Sequence, residues 1–234
     1  RMPSRFRQYQ YLLSYYLDSL RGRKRPLLGS LKLTHECNLA CVQCPFRVRE
    51  IAPLTYAQAR SAIQTLYDTG VRILIIEGGE PFVWRDGERG LSSVVAEAKK
   101  LFFSVGVTTN GTISIDTDSD NVWVSIDGLP KTHDRLRGKH CFQRIMANLE
   151  ATSHPSVYAH VTINAVNWRE IPELVRFLSN KVKGITVQFH YPFEEVDKEL
   201  TLPFDRRRQV LDDLIRLKKE GLPLANSYAT LRAL

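Results

Sequence analysis

Cysteine is scarce in this chain, and its scarcity excludes a class of small secreted proteins. Four cysteines among 234 residues are too few for a fold that depends on disulfide bonds. No apolar signal sequence followed by small residues opens the sequence. We therefore expect a cytoplasmic protein in a reducing compartment, where clustered cysteines more often bind metal or take part in catalysis.

Long apolar runs and nucleic-acid signatures are also missing. No stretch is long enough to cross a membrane as a helix, and basic and aromatic residues do not interleave as they do in RNA-binding modules. Nucleic acid is therefore disfavoured as a partner. The formal net charge of +8 favours anionic partners such as phosphates or lipid headgroups. The 43% hydrophobic content is enough for one sizeable core.

Three of the four cysteines lie close together in the sequence. Cys37, Cys41 and Cys44 follow a C-x3-C-x2-C pattern. Iron–sulfur clusters are normally held by four cysteine thiolates, so three thiolates with no fourth nearby indicate a 4Fe-4S cluster with one iron open to a small molecule. The alternative is a structural zinc ion with His35 as the additional ligand.

A second motif directly follows an apolar run. Residues 71–76 are mostly β-branched or leucine and predict a strand buried on both faces. Gly78, Gly79, Glu80 and Pro81 come next. Glycines allow a tight turn and a close approach to a ligand, the carboxylate can accept a hydrogen bond from an ammonium group, and proline ends strand pairing. The combination indicates a ligand site.

Strand and helix patterns alternate along the chain. We predict strands over residues 27–33, 71–76, 103–108, 122–126, 157–163 and 185–189, with helices following most of them. Thr55 with Gln58 predicts a capping box, Asn167 and Asp205 are predicted N-caps, and Gly70 and Gly221 are predicted to follow helix ends. This alternation predicts a parallel sheet with right-handed crossovers, and there are fewer β-α units than a closed barrel needs. We therefore expect an α/β fold, a partial (β/α)6 barrel.

The barrel is predicted to occupy residues 27–221, between two shorter segments. Residues 1–26 read as an amphipathic helix with a basic linker, and residues 222–234 as the start of a C-terminal extension of a truncated chain. In parallel sheets ligands bind at the carboxyl ends of the strands. The candidate site residues of this chain follow the predicted strands at those ends. This convergence weakens the zinc alternative. These residues are the three cysteines, Gly78 to Pro81, Asn110, Ser125, Asp127 and Asn164.

The chain resembles the radical S-adenosylmethionine (radical SAM) superfamily over residues 27–192. The resemblance rests on the three cysteines and on Gly78-Gly79-Glu80-Pro81. The resemblance implies a 4Fe-4S cluster on Cys37, Cys41 and Cys44. It also implies S-adenosylmethionine (SAM) with its amino group held by the glycine segment, and a one-electron donor such as flavodoxin or ferredoxin. Gln43 stands where the family usually has an aromatic residue, and Phe46 is a candidate for that packing role.

The resemblance also implies the reaction. A reduced cluster would cleave SAM to a 5′-deoxyadenosyl radical, which abstracts hydrogen from an unactivated carbon. Asn110, Ser125, Asp127 and Asn164 are candidates for the ribose or carboxylate of SAM, although Asn110-Gly111 and Asp127-Gly128 are also ordinary turn dipeptides. No residue is predicted to act on the substrate.

Two other features are predicted to be structural. His133, Asp134, Arg135 and Arg137 lie in a polar loop that we expect to anchor the following helix by ion pairs. Cys141 stands alone and is predicted to be a small buried hydrophobe.

The amino-terminal helix supports two interpretations. Apolar residues recur at helical spacing from Phe6 to Leu20, and a basic run, Arg21 to Arg25, follows. We favour a helix that packs its apolar face under the barrel and leaves the basic linker solvated. The alternative is a helix lying on an anionic membrane surface, which would make the protein peripheral to the inner face of a membrane.

A weaker resemblance to radical SAM enzymes that act on hopanoid lipids favours a lipid or isoprenoid substrate. Two alternatives remain open at this point. One is a radical SAM enzyme that modifies RNA or a peptide, and the other is a non-catalytic module that binds zinc or a cluster.

Overall fold

The structure, a computed structural model, describes residues 5–193 and 198–234. Six strands form one sheet in the order β1-β2-β5-β6-β7-β8, and β3 pairs with β4 in a small hairpin. The strands are β1 (Leu28–Lys32), β2 (Ile73–Glu77), β3 (Arg85–Asp86), β4 (Arg89–Gly90), β5 (Ser104–Thr109), β6 (Asn121–Ser125), β7 (Val157–Ile163) and β8 (Gly184–Phe189).

Eight helices accompany these strands in the described residues. They are α1 (Arg5–Leu20), α2 (Tyr56–Asp68), α3 (Leu91–Ala98), α4 (Pro130–Arg137), α5 (Cys141–Ala151), α6 (Ile171–Leu178), α7 (Phe204–Lys219) and α8 (Tyr228–Ala233). The predicted α/β alternation is confirmed, and the predicted strands differ from the observed ones by no more than two residues at either end.

The chain divides into two compact units. The first comprises the described residues up to Glu36 together with Glu50–Thr108 and Thr117–Asn121. In it β1 pairs in parallel with β2, and β2 with β5. Its core is aliphatic and aromatic, as expected for strands covered by helices, and includes Leu33, Ile63, Leu74, Ile76, Trp84 and Phe102.

The start and the end of α2 follow the sequence signals. The Thr55 hydroxyl accepts a hydrogen bond from the Gln58 N–H, and the Gln58 side chain accepts one from the Thr55 N–H. This is the predicted capping box. Gly70, with φ of +106°, follows the last turn in a conformation that favours glycine.

The packing of α1 differs from the interpretation that we favoured. The helix contacts the first unit through Tyr11, whose hydroxyl donates to the Gly70 carbonyl oxygen and whose ring packs edge-on against Phe103. Arg25 forms an ion pair with Asp18 at 2.8 Å. The apolar residues instead face solvent: Tyr9, Leu12, Leu13, Tyr16, Leu17 and Leu20 are all exposed. The side chain of Phe6 lies outside the described residues.

The second unit comprises Cys37–Arg49, Thr109–Asp116 and the described residues from Val122 onward. In it β6 pairs in parallel with β7, and β7 with β8. Its core includes Val124, Ile126, Ile145, Ile163, Ile171 and Leu214. Cys141 is buried, as predicted, and Gly221, with φ of +90°, follows the end of α7 as predicted.

Three local predictions in this unit were wrong. Residues 130–137 form helix α4 rather than a loop, because Pro130 stands in its first turn, a position that suits proline. Asn167 caps no helix with its side chain, since its amide is used elsewhere. Asp205 lies inside the first turn of α7, which begins one residue earlier, at Phe204.

Candidate functional site

The three clustered cysteines lie on one loop of the second unit, residues 37–44, which we call the cysteine loop. Cys37 is exposed, Cys44 is partly buried and Cys41 is buried. The Cys44 N–H donates to the Cys41 carbonyl oxygen at 3.2 Å, and the Leu39 N–H lies 3.4 Å from the Cys37 sulfur. Because N–H donors near sulfur favour its charged form, this backbone suits a thiolate.

Asn110 holds the start of the cysteine loop. Its Nδ2 donates to Asn38 Oδ1 at 2.8 Å and lies 3.7 Å from the Cys37 sulfur. Asn38 in turn donates to the Thr112 hydroxyl at 2.9 Å, and Asn110 Oδ1 accepts from the Thr112 N–H at 2.9 Å. Asn110 is thus brought beside the first cysteine, where it contacts the loop itself.

The three thiols match the donor set of a 4Fe-4S cluster with one open iron. Among the residues that the structure describes, no three His, Cys, Asp or Glu side chains are close enough together to hold one ion. A 4Fe-4S cluster takes one thiolate on each iron, so its ligands need not converge on a point. Burial raises the pKa of the Cys41 thiol to about 11. Iron binding would therefore release a proton there, since cysteine ligates metals as a thiolate.

Asp127 forms hydrogen bonds with several residues of the second unit. It is fully buried, and its Oδ2 accepts from Gln43 Nε2 at 2.6 Å and from Arg137 Nε at 2.6 Å. Its Oδ1 accepts from the Thr162 N–H at 2.8 Å, and its carbonyl oxygen accepts from Asn167 Nδ2 at 2.6 Å. These contacts give the carboxylate an internal role and do not favour the predicted contact with SAM.

The charges around Asp127 are set by burial and by the ion pair. Burial alone would raise the pKa of Asp127, but the Arg137 cation and the hydrogen bonds outweigh it, so the pKa lies below its usual range. Burial lowers the pKa of His133 to about 4. Its Nδ1 accepts from the Asp127 N–H at 3.2 Å, so the imidazole is neutral and carries its proton on Nε2.

Five buried polar atoms of the second unit have no hydrogen-bond partner among the described residues. They are Gln43 Oε1, His133 Nε2, Asn164 Nδ2, His190 Nε2 and Thr201 Oγ1. The Asn164 Oδ1 is engaged, because it accepts from the Val166 N–H at 2.9 Å. Buried polar groups are normally paired, so these atoms can serve a ligand. SAM fits them, because it carries hydroxyl, carboxylate and amine groups. Ser125 is buried at the last position of β6.

The glycine segment lies in the first unit, directly after β2. Its backbone is tied to residues 34–36: the Gly79 N–H donates to the Thr34 carbonyl oxygen at 2.6 Å, and the Glu80 N–H to the Glu36 carbonyl oxygen at 2.9 Å. A Cβ on Gly78 would lie 2.9 Å from the Thr34 oxygen, and one on Gly79 only 2.1 Å from the Glu36 oxygen. The sequence predicted glycines for a close approach, and the approach seen here is to the chain's own backbone.

Glu80 is fully buried and begins a short 3-10 turn at Pro81–Val83. Its Oε1 accepts from the Phe82 N–H at 3.1 Å. This hydrogen bond fixes the side chain, while a carboxylate retains capacity for a further donor. The role of Glu80 toward the amine of SAM stays a prediction.

Two residues that position the cysteine loop were not identified as such from the sequence. Gln43 was noted only because the family usually has an aromatic residue there, and Arg137 was assigned to a polar loop expected to anchor the following helix by ion pairs. Nothing in the sequence indicated that Asn38 binds Asn110, because that contact depends on the fold.

Comparison with known proteins places this site in a family. Residues 31–178 match the family model described as the radical SAM superfamily. The pre-heme d1 synthase of Dinoroseobacter shibae is 28% identical over 194 residues, 73% of this chain and 47% of that protein. The Fe-coproporphyrin III synthase of Methanosarcina barkeri is 25% identical, over 93% of this chain and 58% of that protein.

A solved structure shows the same fold. Streptococcus suis SuiB bound to precursor peptide SuiA matches 92% of this chain and 51% of its own with a TM-score of 0.69, at 15% identity. The predicted partial barrel is thereby confirmed. The chain spans about half the length of the curated relatives that it matches. It belongs to the radical SAM superfamily, whose cofactors are a 4Fe-4S cluster and SAM.

Proposed function

We propose that Cys37, Cys41 and Cys44 bind the 4Fe-4S cluster of this enzyme. The observation that carries the proposal is the cysteine loop, which presents three thiols on one segment with N–H groups directed at Cys37. When bound, the cluster supplies the electron that cleaves SAM to a 5′-deoxyadenosyl radical, which then takes hydrogen from an unactivated carbon. The protein itself binds and orients SAM and the substrate, and it excludes water from the site.

The glycine segment is proposed to bind the amino group of SAM. The Glu80 carboxylate is the acceptor for the amine, by a charge-assisted hydrogen bond, and Gly78, Gly79 and Pro81 shape the segment that holds it. Asn164 is the strongest candidate for a ribose hydroxyl or the SAM carboxylate, because its Nδ2 is buried without a partner among the described residues. Ser125 is the second candidate.

The leading substrate class is an anionic tetrapyrrole. Two relatives are named for heme d1 and coproporphyrin chemistry, and they match 73% and 93% of this chain. Porphyrins of this kind carry several carboxylates, which suit a chain of net charge +8. A peptide is the second candidate, since SuiB binds a precursor peptide. The relatives named here give no support to the predicted lipid or hopanoid substrate.

The proposed activity is tested by anaerobic reconstitution with iron and sulfide, followed by SAM and dithionite. We expect release of 5′-deoxyadenosine from the wild-type protein and none from a Cys44→Ala variant. We then add either a tetracarboxylate porphyrin or a precursor-type peptide. Only one of these two substrates should raise the yield of 5′-deoxyadenosine. Tight binding of colourless zinc with no nucleoside product would refute the proposal and support the structural module.

Radical SAM enzymes need an electron donor, and a flavodoxin or ferredoxin is the donor that we propose here. Both are acidic electron carriers in general, so the net charge of +8 favours their docking. Replacement of dithionite by reduced flavodoxin in the same assay tests this. Turnover with dithionite but none with either carrier would argue for another donor.

We further propose that α1 binds an anionic membrane surface. Its exposed side carries six apolar residues, and Arg21, Arg23 and Lys24 beyond its end are exposed as well. The one acid described on this helix, Asp18, is neutralised by Arg25. No helix of the described chain is long and apolar enough to cross a membrane, so the attachment would be peripheral.

Flotation with vesicles tests the membrane proposal. Each exposed cation near an anionic surface contributes roughly 1 kcal/mol, and the effect is screened by salt. We expect recovery with phosphatidylglycerol vesicles at low salt, less at high salt, and little with neutral vesicles. Arg21, Arg23 and Lys24 changed together to Gln should reduce binding about 100-fold. Absence from both vesicle types would refute the proposal.

A further inference from the structure

Gln43 is the point at which the cysteine loop is fastened to the rest of the second unit. It lies between the second and third cysteines and is buried. Its amide donates to Asp127 Oδ2 at 2.6 Å. Asp127 is in turn bound to the backbone of β7 through the Thr162 N–H, so the loop is anchored to a strand rather than to another loop.

The same carboxylate oxygen holds a cation that is largely, though not fully, buried. Arg137 Nε donates to Asp127 Oδ2 at 2.6 Å. The backbone around Arg137 also contacts the loop: the Val42 N–H donates to the Leu136 carbonyl oxygen at 2.9 Å, and the Cys41 thiol lies 3.9 Å from the Arg137 carbonyl oxygen. Three consecutive loop residues, 41–43, are therefore held by Asp127 and the end of α4.

We propose that Gln43, Asp127 and Arg137 form a positioning triad that holds the cysteine loop in the shape required for cluster binding. An aromatic residue at position 43 would pack but could not donate to Asp127, and the shared Oδ2 would then bind Arg137 alone. The inference rests on the proposed role of Cys41 and Cys44 as cluster ligands. It assigns Gln43 a positioning role and leaves the ligands unchanged.

The inference can be tested by exchanging the amide of Gln43 and the carboxylate of Asp127, because the exchange keeps the net charge of the triad. The wild-type triad contains one amide, one carboxylate and one guanidinium. Gln43→Glu places two carboxylates together, and Asp127→Asn leaves Arg137 without its counter-ion, so each single change disrupts the triad. The double variant carries one amide, one carboxylate and one guanidinium again, with the first two exchanged.

Iron and sulfide content after reconstitution is the primary measurement, with the electron paramagnetic resonance spectrum of the reduced cluster as the second. We expect each single variant to retain less than half of the wild-type iron, and the double variant to recover most of it. Gln43→Leu keeps the charge balance and removes only the amide, so it should fold and still lose at least half of the iron.

Gln64→Glu is the matched control, because Gln64 makes an exposed amide-to-carboxylate bond with Asp68 at 2.8 Å and should keep full iron content. Full iron content and an unchanged spectrum in Gln43→Leu would overturn the inference, as would a double variant no better than the worse single one. Failure of the wild-type protein to bind a cluster would instead refute the proposed function.

Discussion

A single methyl group at Gly79 should separate two backbone segments of the first unit. The Cβ of Gly79→Ala would lie 2.1 Å from the Glu36 carbonyl oxygen and 2.5 Å from the His35 carbonyl oxygen. Both neighbours are backbone atoms, which cannot rotate away as a side chain could. Residues 34–36 and 78–80 must therefore move apart by about 1 Å to restore ordinary contact distances.

The cost follows from the hydrogen bonds between these segments. Separation strains or breaks the bond from Gly79 N–H to Thr34 and that from Glu80 N–H to Glu36, and each buried group left unpaired costs about 1–3 kcal/mol. Loss of glycine entropy in the unfolded chain offsets about 0.4–1 kcal/mol. The expected loss is therefore about 2–5 kcal/mol, a large share of a typical unfolding free energy.

Urea denaturation of the metal-free protein under reducing conditions measures this loss. Gly90→Ala is the control, because a Cβ there meets mainly the flexible end of Arg85, at 3.0 Å, and its cost should stay below about 1 kcal/mol. Equal stability of Gly79→Ala and Gly90→Ala would refute the reasoning. It would show that residues 34–36 are free to move and that the glycine pair is not required for this contact.

Three further predictions concern the cofactors and the buried histidine. Replacement of Cys37, Cys41 or Cys44 by Ala should abolish cluster retention, since each iron needs its thiolate, whereas Cys141→Ala should retain it; iron analysis decides, and the reverse pattern would contradict the ligand assignment. Glu80→Gln should weaken SAM binding in equilibrium dialysis while iron content stays constant, because the charged acceptor for the amine is lost; unchanged affinity would exclude this role. Burial holds the pKa of His133 at about 4, below its value in the unfolded chain. The contribution of neutral His133 to the free energy of unfolding is therefore complete above about pH 6.5 and is lost as pH falls toward 4. Between pH 7 and 5 the loss should be about 2 kcal/mol, measured by urea denaturation, and His133→Asn should reduce this slope.

The sequence was sufficient for the order of the six main strands because each of them, and most of the helices between them, carried its own local signal. The run at residues 71–76 and the capping box at Thr55 are such signals, and both are confirmed. The helix α4 was missed because its sequence is strongly polar, and only Pro130 in its first turn marks its start. A short polar helix held by tertiary contacts has little periodicity to read.

The site was predicted less completely, because many of its contacts join residues far apart in the chain. Gln43 and Asp127 are 84 positions apart, and no local pattern reports such a pair. Asn110 and Asp127 were predicted to contact SAM. Their contacts, however, are with the cysteine loop, since a polar side chain can serve a ligand or its own fold and the sequence does not distinguish the two.

The exposed apolar face of α1 is a second feature that the sequence alone did not predict. Periodicity correctly predicted an amphipathic helix, and the usual inference is that the apolar side is buried. The structure instead uses Tyr11 for packing, because its ring lies under the Arg72 guanidinium at 4.6 Å while its hydroxyl reaches Gly70. One aromatic residue with a polar end can anchor a helix by its less apolar side. The apolar side is then left for another surface, and this is why the composition of a helix does not by itself decide what covers it.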